Sequence, residues 1–228
     1  MNRLYLVRHG ENYANLTLEF SHRKVDYSLT PKGQLQAAQT AAYLAGLGVD
    51  AVYSSPLKRA METAQAIASP LGLAVISSEA FREVNVGALE GQPPTAALWA
   101  QHNTVIAAWR DGHPETRFPD GEDYPTLIAR VRSGLIEVLR DRQDQNIVIV
   151  GHGGIFTFTL RDLVPDVDFA CLNQGLPNCS IMTLDVQLVD GRLDARVRTY
   201  ASVGHLTGEA ANLISGVMNL SGAEPRQE

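Results

Sequence analysis

The sequence predicts an α/β fold: three α/β/α layers around a mostly parallel central sheet, with a small cap insertion. Three observations lead there. From the N-terminus to about residue 76, short apolar runs alternate with helical segments, the order that builds a parallel sheet with helices on its faces. Two runs, residues 4–7 and 147–150, are continuously apolar, as strands buried on both faces are. Each is closely followed by a histidine and a glycine, in Arg8-His9-Gly10 and Gly151-His152-Gly153. Ligands of open α/β sheets sit beyond the carboxyl ends of the strands, so two imidazoles are expected at one sheet edge.

After the first strand, Leu29-Thr30-Pro31-Lys32-Gly33 opens a helix, with Thr30 as its cap and Pro31 at its first position. It is expected to run through Leu35, Ala38, Ala42 and Leu44 to Gly46 or Gly48. Residues 51–56 read as a strand ending in a helix cap. Residues 57–68 then form a helix capped by Ser54 or Ser55, and 73–76 another strand. From 81 to 121, glycines and prolines punctuate a weaker pattern around a helix near 96–109, which reads as an inserted cap. A long amphipathic helix follows to about Arg142, with Leu127, Val131, Leu135 and Val138 on one face. Beyond the second histidine strand come a helix over 155–162 and a β-hairpin, 180–189 and 193–200, around Asp190-Gly191.

With 228 residues, 45% of them hydrophobic, the chain is expected to form one domain over 1–228, with the cap at about 84–121 and a flexible tail from about 222. A net charge of −6 argues against an electrostatic nucleic-acid binder, yet local arginines can still hold small anions. No apolar segment reaches the ~20 residues that span a bilayer. The first strand starts almost at the N-terminus, which leaves no signal peptide, and Cys171 and Cys179 lack a disulfide or metal-finger pattern. These features point to a cytoplasmic protein. An exposed sheet edge, or the apolar stretch 213–220, offers a surface either for a homodimer or for packing on the domain itself.

Arginine beside histidine repels a metal cation, whereas guanidinium groups fit phosphate or carboxylate oxygens in a bidentate way. The expected ligand is therefore a small anion, with no metal and no cofactor. Lys58 and Arg59 begin a helix, where free N–H groups also favour anions; the competing reading is a solvated helix face.

Four stretches together resemble the histidine phosphatase superfamily, with its phosphoglycerate-mutase-like fold. They are Arg8-His9-Gly10-Glu11 through Asn15; Ser54-Ser55-Pro56-Leu57-Lys58-Arg59; Glu83 with Gly87 and Glu90-Gly91; and Gly151-His152-Gly153. They occur in the family's order. Asp26, Leu29-Thr30 and Gly33 also resemble its D-x-x-L-T-x-x-G stretch, and residues 178–181 its late strand. The resemblance implies that His9 is a nucleophile forming a phosphohistidine, a neutral imidazole near pH 7 at its ordinary pKa of ~6.5. It implies that Arg8, Arg59 and His152 hold the phosphoryl oxygens, with Asn15 as a further phosphate contact. Glu83 would protonate the leaving alkoxide and then activate water, with Glu79 as a nearby rival and Glu11 orienting the loop. His22 and Arg23 are expected at the substrate end.

The superfamily holds both mutases and phosphatases. Mutases carry Arg and Tyr between the acid and its glycine, where this chain has Val84, Asn85 and Val86. They also carry paired arginines in a longer insertion; here residues 92–120 hold only Arg110 and Arg117. Without that grip on a second acidic group, water is the expected acceptor, and a phosphomonoesterase acting on a small phosphorylated metabolite is favoured. A phosphoglycerate-mutase-type phosphotransferase and a non-catalytic phosphate-binding regulator are the alternatives. Among the remaining residues, His102 and His113 are expected to face solvent. His205, Cys171 and Cys179 are expected to be structural, and one of Trp99 and Trp109 to line the pocket mouth while the other packs.

Overall fold

The computed structural model describes residues 1–164 and 175–213. Its centre is the pair of apolar runs. Strand β1 (Asn2–Arg8) lies parallel to β4 (Asn146–Gly151), with Val7 opposite Val150 and Arg8 opposite Gly151. With β2 (Ala51–Ser54), β3 (Val75–Ser77), β5 (Ile181–Val189) and β6 (Arg192–Ser202), they make one six-stranded sheet ordered β3-β2-β4-β1-β5-β6. Pairing is parallel from β3 to β1, while β5 and β6 add antiparallel. The hairpin turns on Asp190 and Gly191, both at positive φ, as a tight two-residue connection requires.

Side chains alternate across a strand, so β1 and β4 feed two cores. Leu4, Leu6, Ile147 and Ile149 meet α4 (Ala96–Arg110), α5 (Tyr124–Leu139) and α6 (Gly153–Leu163) on one face. Tyr5, Val7, Val148 and Val150 meet α2 (Pro31–Ala45) and α3 (Lys58–Ala68) on the other. Each fully buried aliphatic side chain contributes roughly 1.5–3 kcal/mol relative to exposure. Leu127, Val131, Leu135 and Val138 of α5 are all buried, as their spacing predicts. The stretch between Val84 and Gly121 contributes no strand, and its helix α4 buries Leu98, Ile106 and Trp109 in the same core as Leu4 and Leu6.

The face expected for α2 is corrected. Leu35, Ala38 and Ala42 are exposed, and the buried stripe runs through Gly33, Gln36, Ala37, Thr40, Ala41 and Leu44. Backbone approach decides this: a Cβ on Gly33 would lie 2.0 Å from the Glu11 carbonyl oxygen, and one on Gly10 would lie 2.5 Å from that of Gly33. Helix α5 also ends at Leu139, short of Arg142. A short helix α1 (Tyr13–Thr17), absent from the sequence reading, follows the His9 loop. None of the helices among the described residues is long and apolar enough to cross a membrane. Cys171, most of 213–220 and the tail from 222 lie outside the described residues.

Candidate active site

The parallel register of β1 and β4 places His9 and His152 side by side, with ring centroids 5.1 Å apart. Both are buried. The His9 amide donates to the Gly151 carbonyl at 3.0 Å, which ties the two strand ends together. Helix α3 starts where β2 leaves the same edge, and its first turn turns Arg59 inward while Lys58 stays exposed. The Thr63 hydroxyl, one turn on, accepts from the Gly10 amide at 3.0 Å.

Arg59 sets the state of His9. Its Nε–H donates to His9 Nε2 at 3.0 Å, so Nε2 must carry a lone pair. Nδ1 then carries the proton and donates it to the Gly10 carbonyl at 2.7 Å. Burial, followed by the Arg59 and Arg8 charges, holds the His9 pKa well below its ordinary value, so the ring is neutral near pH 7. Ser55 does the equivalent work on His152. Its hydroxyl accepts from the Leu57 amide at 3.4 Å and contacts His152 Nε2 at 2.7 Å. If the hydroxyl donates there, Nδ1 carries the proton. That nitrogen is buried without a partner among the described residues and is available to an anionic oxygen. Ser55 is thus no side-chain cap for α3. Asp26 accepts from the Lys58 amide at 2.9 Å instead.

Arg8 and Arg59 are 6% and 3% exposed, and neither forms a salt bridge among the described residues, although Glu83 acts on both from across the pocket. Arg59 also donates from Nη1 to the Ser21 hydroxyl and from Nη2 to the Ser21 carbonyl, and Arg8 bonds the Leu176 carbonyl. Arg8 Nε has no partner among the described residues. Burial lowers both guanidinium pKa values to about 10, which still leaves both charged at neutral pH. Two buried cations that touch no carboxylate among the described residues are costly unless an anion joins them.

Glu83 faces this group. Its carboxylate accepts from the amides of Gly154 at 3.1 Å, Ile155 at 3.0 Å and Val84 at 2.9 Å, so the N-terminus of α6 fixes it at the pocket wall. Asn15 also lines the pocket. Its Oδ1 accepts from the Asn12 amide at 3.1 Å and Asn178 Nδ2 at 3.0 Å, which frees its own N–H groups. The pocket that holds these groups encloses about 150 Å³, small beside the ~300–1,000 Å³ of typical ligand sites.

Arg8, His9, Asn15, Arg59 and Glu83 therefore line one pocket, and His152 stands against His9. His22 and Arg23 are not brought there. His22 is buried and bonds the Glu83 carbonyl through Nδ1 at 2.8 Å, while Arg23 is exposed and pairs with Glu79 at 3.4 Å. The loop that carries them is pinned by Glu90, whose Oε1 accepts from the amides of residues 22–25 at 2.6–3.1 Å. Glu79 itself is exposed and pairs with Arg82, away from the pocket. Glu11 holds Thr30 and Lys32, at 2.8 and 2.6 Å. His102, expected in solvent, instead lines the pocket, where its ring stacks on Phe20 at 5.0 Å and on Phe118 at 5.5 Å. His113 is exposed, Trp99 lines the pocket and Trp109 packs. Cys179 is buried, which pushes its thiol up to about 12, and His205 stacks on Tyr43.

Sequence reasoning missed the roles of Ser21, Ser55 and Asn178. It also missed Arg130, which pairs with Glu122 at 2.8 Å and donates to the carbonyls of Ala80, Arg82 and Glu83. Nothing in the local sequence separates these residues from ordinary caps and surface charges.

Comparisons with known proteins point to one superfamily. A probable phosphoglycerate mutase of Erwinia tasmaniensis is 33% identical over 217 residues, 92% of this chain and 97% of that protein. The structure of a phosphoserine phosphatase from Entamoeba histolytica with 3-phosphoglyceric acid superposes with a TM-score of 0.74 at 26% identity, covering 91% of this chain and all of that one. A mycobacterial glucosyl-3-phosphoglycerate phosphatase complexed with VO3 gives 0.73 at 25%, covering 89% of this chain and all of that one. The family model of the histidine phosphatase superfamily, branch 1, matches residues 4–197, a span that contains both histidine strands, Arg59 and Glu83. This chain belongs to that superfamily.

Proposed function

We propose that the protein is a cytoplasmic, metal-independent phosphomonoesterase that hydrolyses a small phosphorylated metabolite through a phosphohistidine on His9. The observation that carries this is the His9 ring: Nδ1–H is tied to Gly10, and the Nε2 lone pair is presented in a pocket with two buried arginines that form no salt bridge among the described residues. A phosphoryl group entering there draws the Arg59 Nε–H onto one of its oxygens and releases Nε2 for attack. Nε2 bonds to phosphorus as the ester P–O bond breaks, and the alkoxide takes its proton from the Glu83 carboxyl group. Water then gives a proton to Glu83 and bonds to phosphorus. The P–N bond breaks, phosphate leaves and the lone pair returns to Nε2. Arg8, Arg59 and the His152 Nδ1–H neutralise the oxygens in the in-line transition state. Asn15 adds a neutral donor.

The alternative, a phosphoglycerate-mutase-type transfer, draws on the relative from Erwinia tasmaniensis. It requires a grip on the second acidic group of the substrate. Neither Arg110 nor Arg117 lines the pocket; Arg117 pairs with Asp123. Release of inorganic phosphate from a panel of phosphomonoesters, with EDTA present, tests the reading in wild type and His9→Ala. Release by the wild type that disappears in the variant is expected. Equal release by both overturns the phosphohistidine route. Phosphoryl transfer between positions of phosphoglycerate without net release establishes the mutase.

A further inference from the structure

The phosphoryl end of the pocket uses up its cations. Arg8 and Arg59 both serve that end, and they are the only lysine or arginine side chains lining the pocket among the described residues. The sequence between Val164 and Gly175 adds neither lysine nor arginine. The other two lining groups of this kind are acidic, Glu83, the proton donor at the N-terminus of α6, and Glu19 near α1. His102 does not replace a cation, because burial lowers its pKa to about 4 and keeps the ring neutral.

What remains of the wall is mostly apolar and aromatic, with Asn12, Asn15, Ser21 and Thr157 as neutral polar side chains. Phe20 lies against Trp99 with ring centroids 4.3 Å apart, and His102 stacks on Phe20. Val84 and Val86, in the stretch where mutases carry an arginine and a tyrosine, are buried beside the acid. A carboxylate or second phosphate on the leaving group meets no counter-charge on this surface and faces Glu19. An apolar ring removes its own area from water there and gains offset stacking.

From this wall we infer that the enzyme selects phosphomonoesters of uncharged alcohols with an apolar or aromatic body over esters that carry a second anionic group. The inference rests on the phosphomonoesterase reading above and names its substrate class. Benzyl phosphate, glycerol 3-phosphate, phosphoserine and 3-phosphoglycerate all expel an alkoxide, so differences among them report on the wall rather than on leaving-group reactivity. The expected kcat/KM for benzyl phosphate is at least tenfold above those for phosphoserine and 3-phosphoglycerate. Trp99→Ala is expected to lower the benzyl-to-glycerol phosphate ratio about tenfold, chiefly through KM, and Trp99→Phe to restore most of it. Competitive inhibition by inorganic phosphate reports that the phosphoryl end of each variant is intact. A preference for phosphoserine or 3-phosphoglycerate overturns this inference and leaves the hydrolase standing, as does a ratio unmoved by Trp99→Ala. Release from none of the four esters by the wild type overturns the hydrolase reading and this inference with it.

Discussion

Arg59 Nε and His9 Nε2 stand 3.0 Å apart, a contact that holds the imidazole in its nucleophilic tautomer and occupies the lone pair it protects. The same guanidinium reaches Ser21 with its other two nitrogens, at 2.7 and 2.8 Å. Only a planar fork makes all three bonds at once. Arg59→Lys keeps the charge and loses the fork. Its kcat/KM for phosphate esters is expected to fall about 10²–10³-fold, the usual effect of removing one transition-state donor. A loss below threefold in steady-state assays would show that charge alone suffices.

Gly154 is where the acid is seated. A Cβ there would lie 2.6 Å from Glu83 Oε1 and 3.0 Å from Val84 Cγ2, so Gly154→Ala must displace the carboxylate from the end of α6. Loss of a positioned acid costs on the order of 10²–10³ in kcat for alkyl esters, within the general range for proton transfer. The signature lies in the choice of substrate. 4-Nitrophenyl phosphate expels a stable phenolate that needs no proton, so its kcat/KM, which ends at phosphohistidine formation and excludes the water step common to all esters, should fall far less than that of glycerol 3-phosphate. Equal losses on both substrates would remove Glu83 from the acid role. Inhibition by inorganic phosphate should stay within a few fold of wild type.

The sheet centre and both histidines were legible because burial on two faces leaves unbroken apolar runs, and a glycine after each histidine marks a turn at the strand end. Arg59 was ambiguous beside Lys58. Adjacent helix residues point about 100° apart, and only the packing of α3 on β2 decides which one turns inward. The α2 face was misread because hydrophobicity favours Leu35, while close contact between the Gly10 and Gly33 backbones selects the stripe of small and polar residues. His22 and Arg23 sit near the site along the chain, but their side chains follow amides drawn onto Glu90, a constraint from 65–68 residues away. Ser55 looked like a helix cap because its hydroxyl is chemically suited to either task.

Glu90 supports Arg59 from a distance. Burial alone would raise its carboxyl pKa, but the amides of residues 22–25 outweigh that and hold it below the usual carboxylate range. Glu90→Ala leaves those amides without an acceptor and loosens the loop that carries Ser21. A loss of about 3 kcal/mol is expected from orphaning such a cluster, or roughly 6–12 °C in Tm for a chain of this size. KM should rise more than kcat falls, since Ser21 positions Arg59 for binding. Glu90→Gln retains an acceptor oxygen and should recover about half of the stability. Thermal melts and steady-state kinetics on the two variants decide it; a Glu90→Ala protein with wild-type KM would detach the loop from the arginine.

Acid should weaken the fold before its carboxylates titrate. His9 and His152 are buried and His102 is partly buried; all three have pKa values lowered from 6.5, His102 to about 4, and in each case desolvation is the largest cause. Above pH ~6.5 these rings are neutral in both the folded and the unfolded chain, and their contribution is complete. Below it the unfolded chain takes up protons that the folded chain refuses, so stability falls with falling pH. Each such histidine contributes at most about 1.4 kcal/mol per pH unit, and for His102 the loss runs from pH 6.5 down to about 4. Tm is therefore expected to be level above pH 7 and to drop steadily between pH 6.5 and 4.5. His102→Phe keeps a flat ring against Phe20 and removes one titrating group, so its Tm should decline less steeply than that of the wild type over that interval. Parallel slopes for the two proteins would mean that His102 is protonated in the folded state, and the neutral wall inferred for the pocket would lose its support.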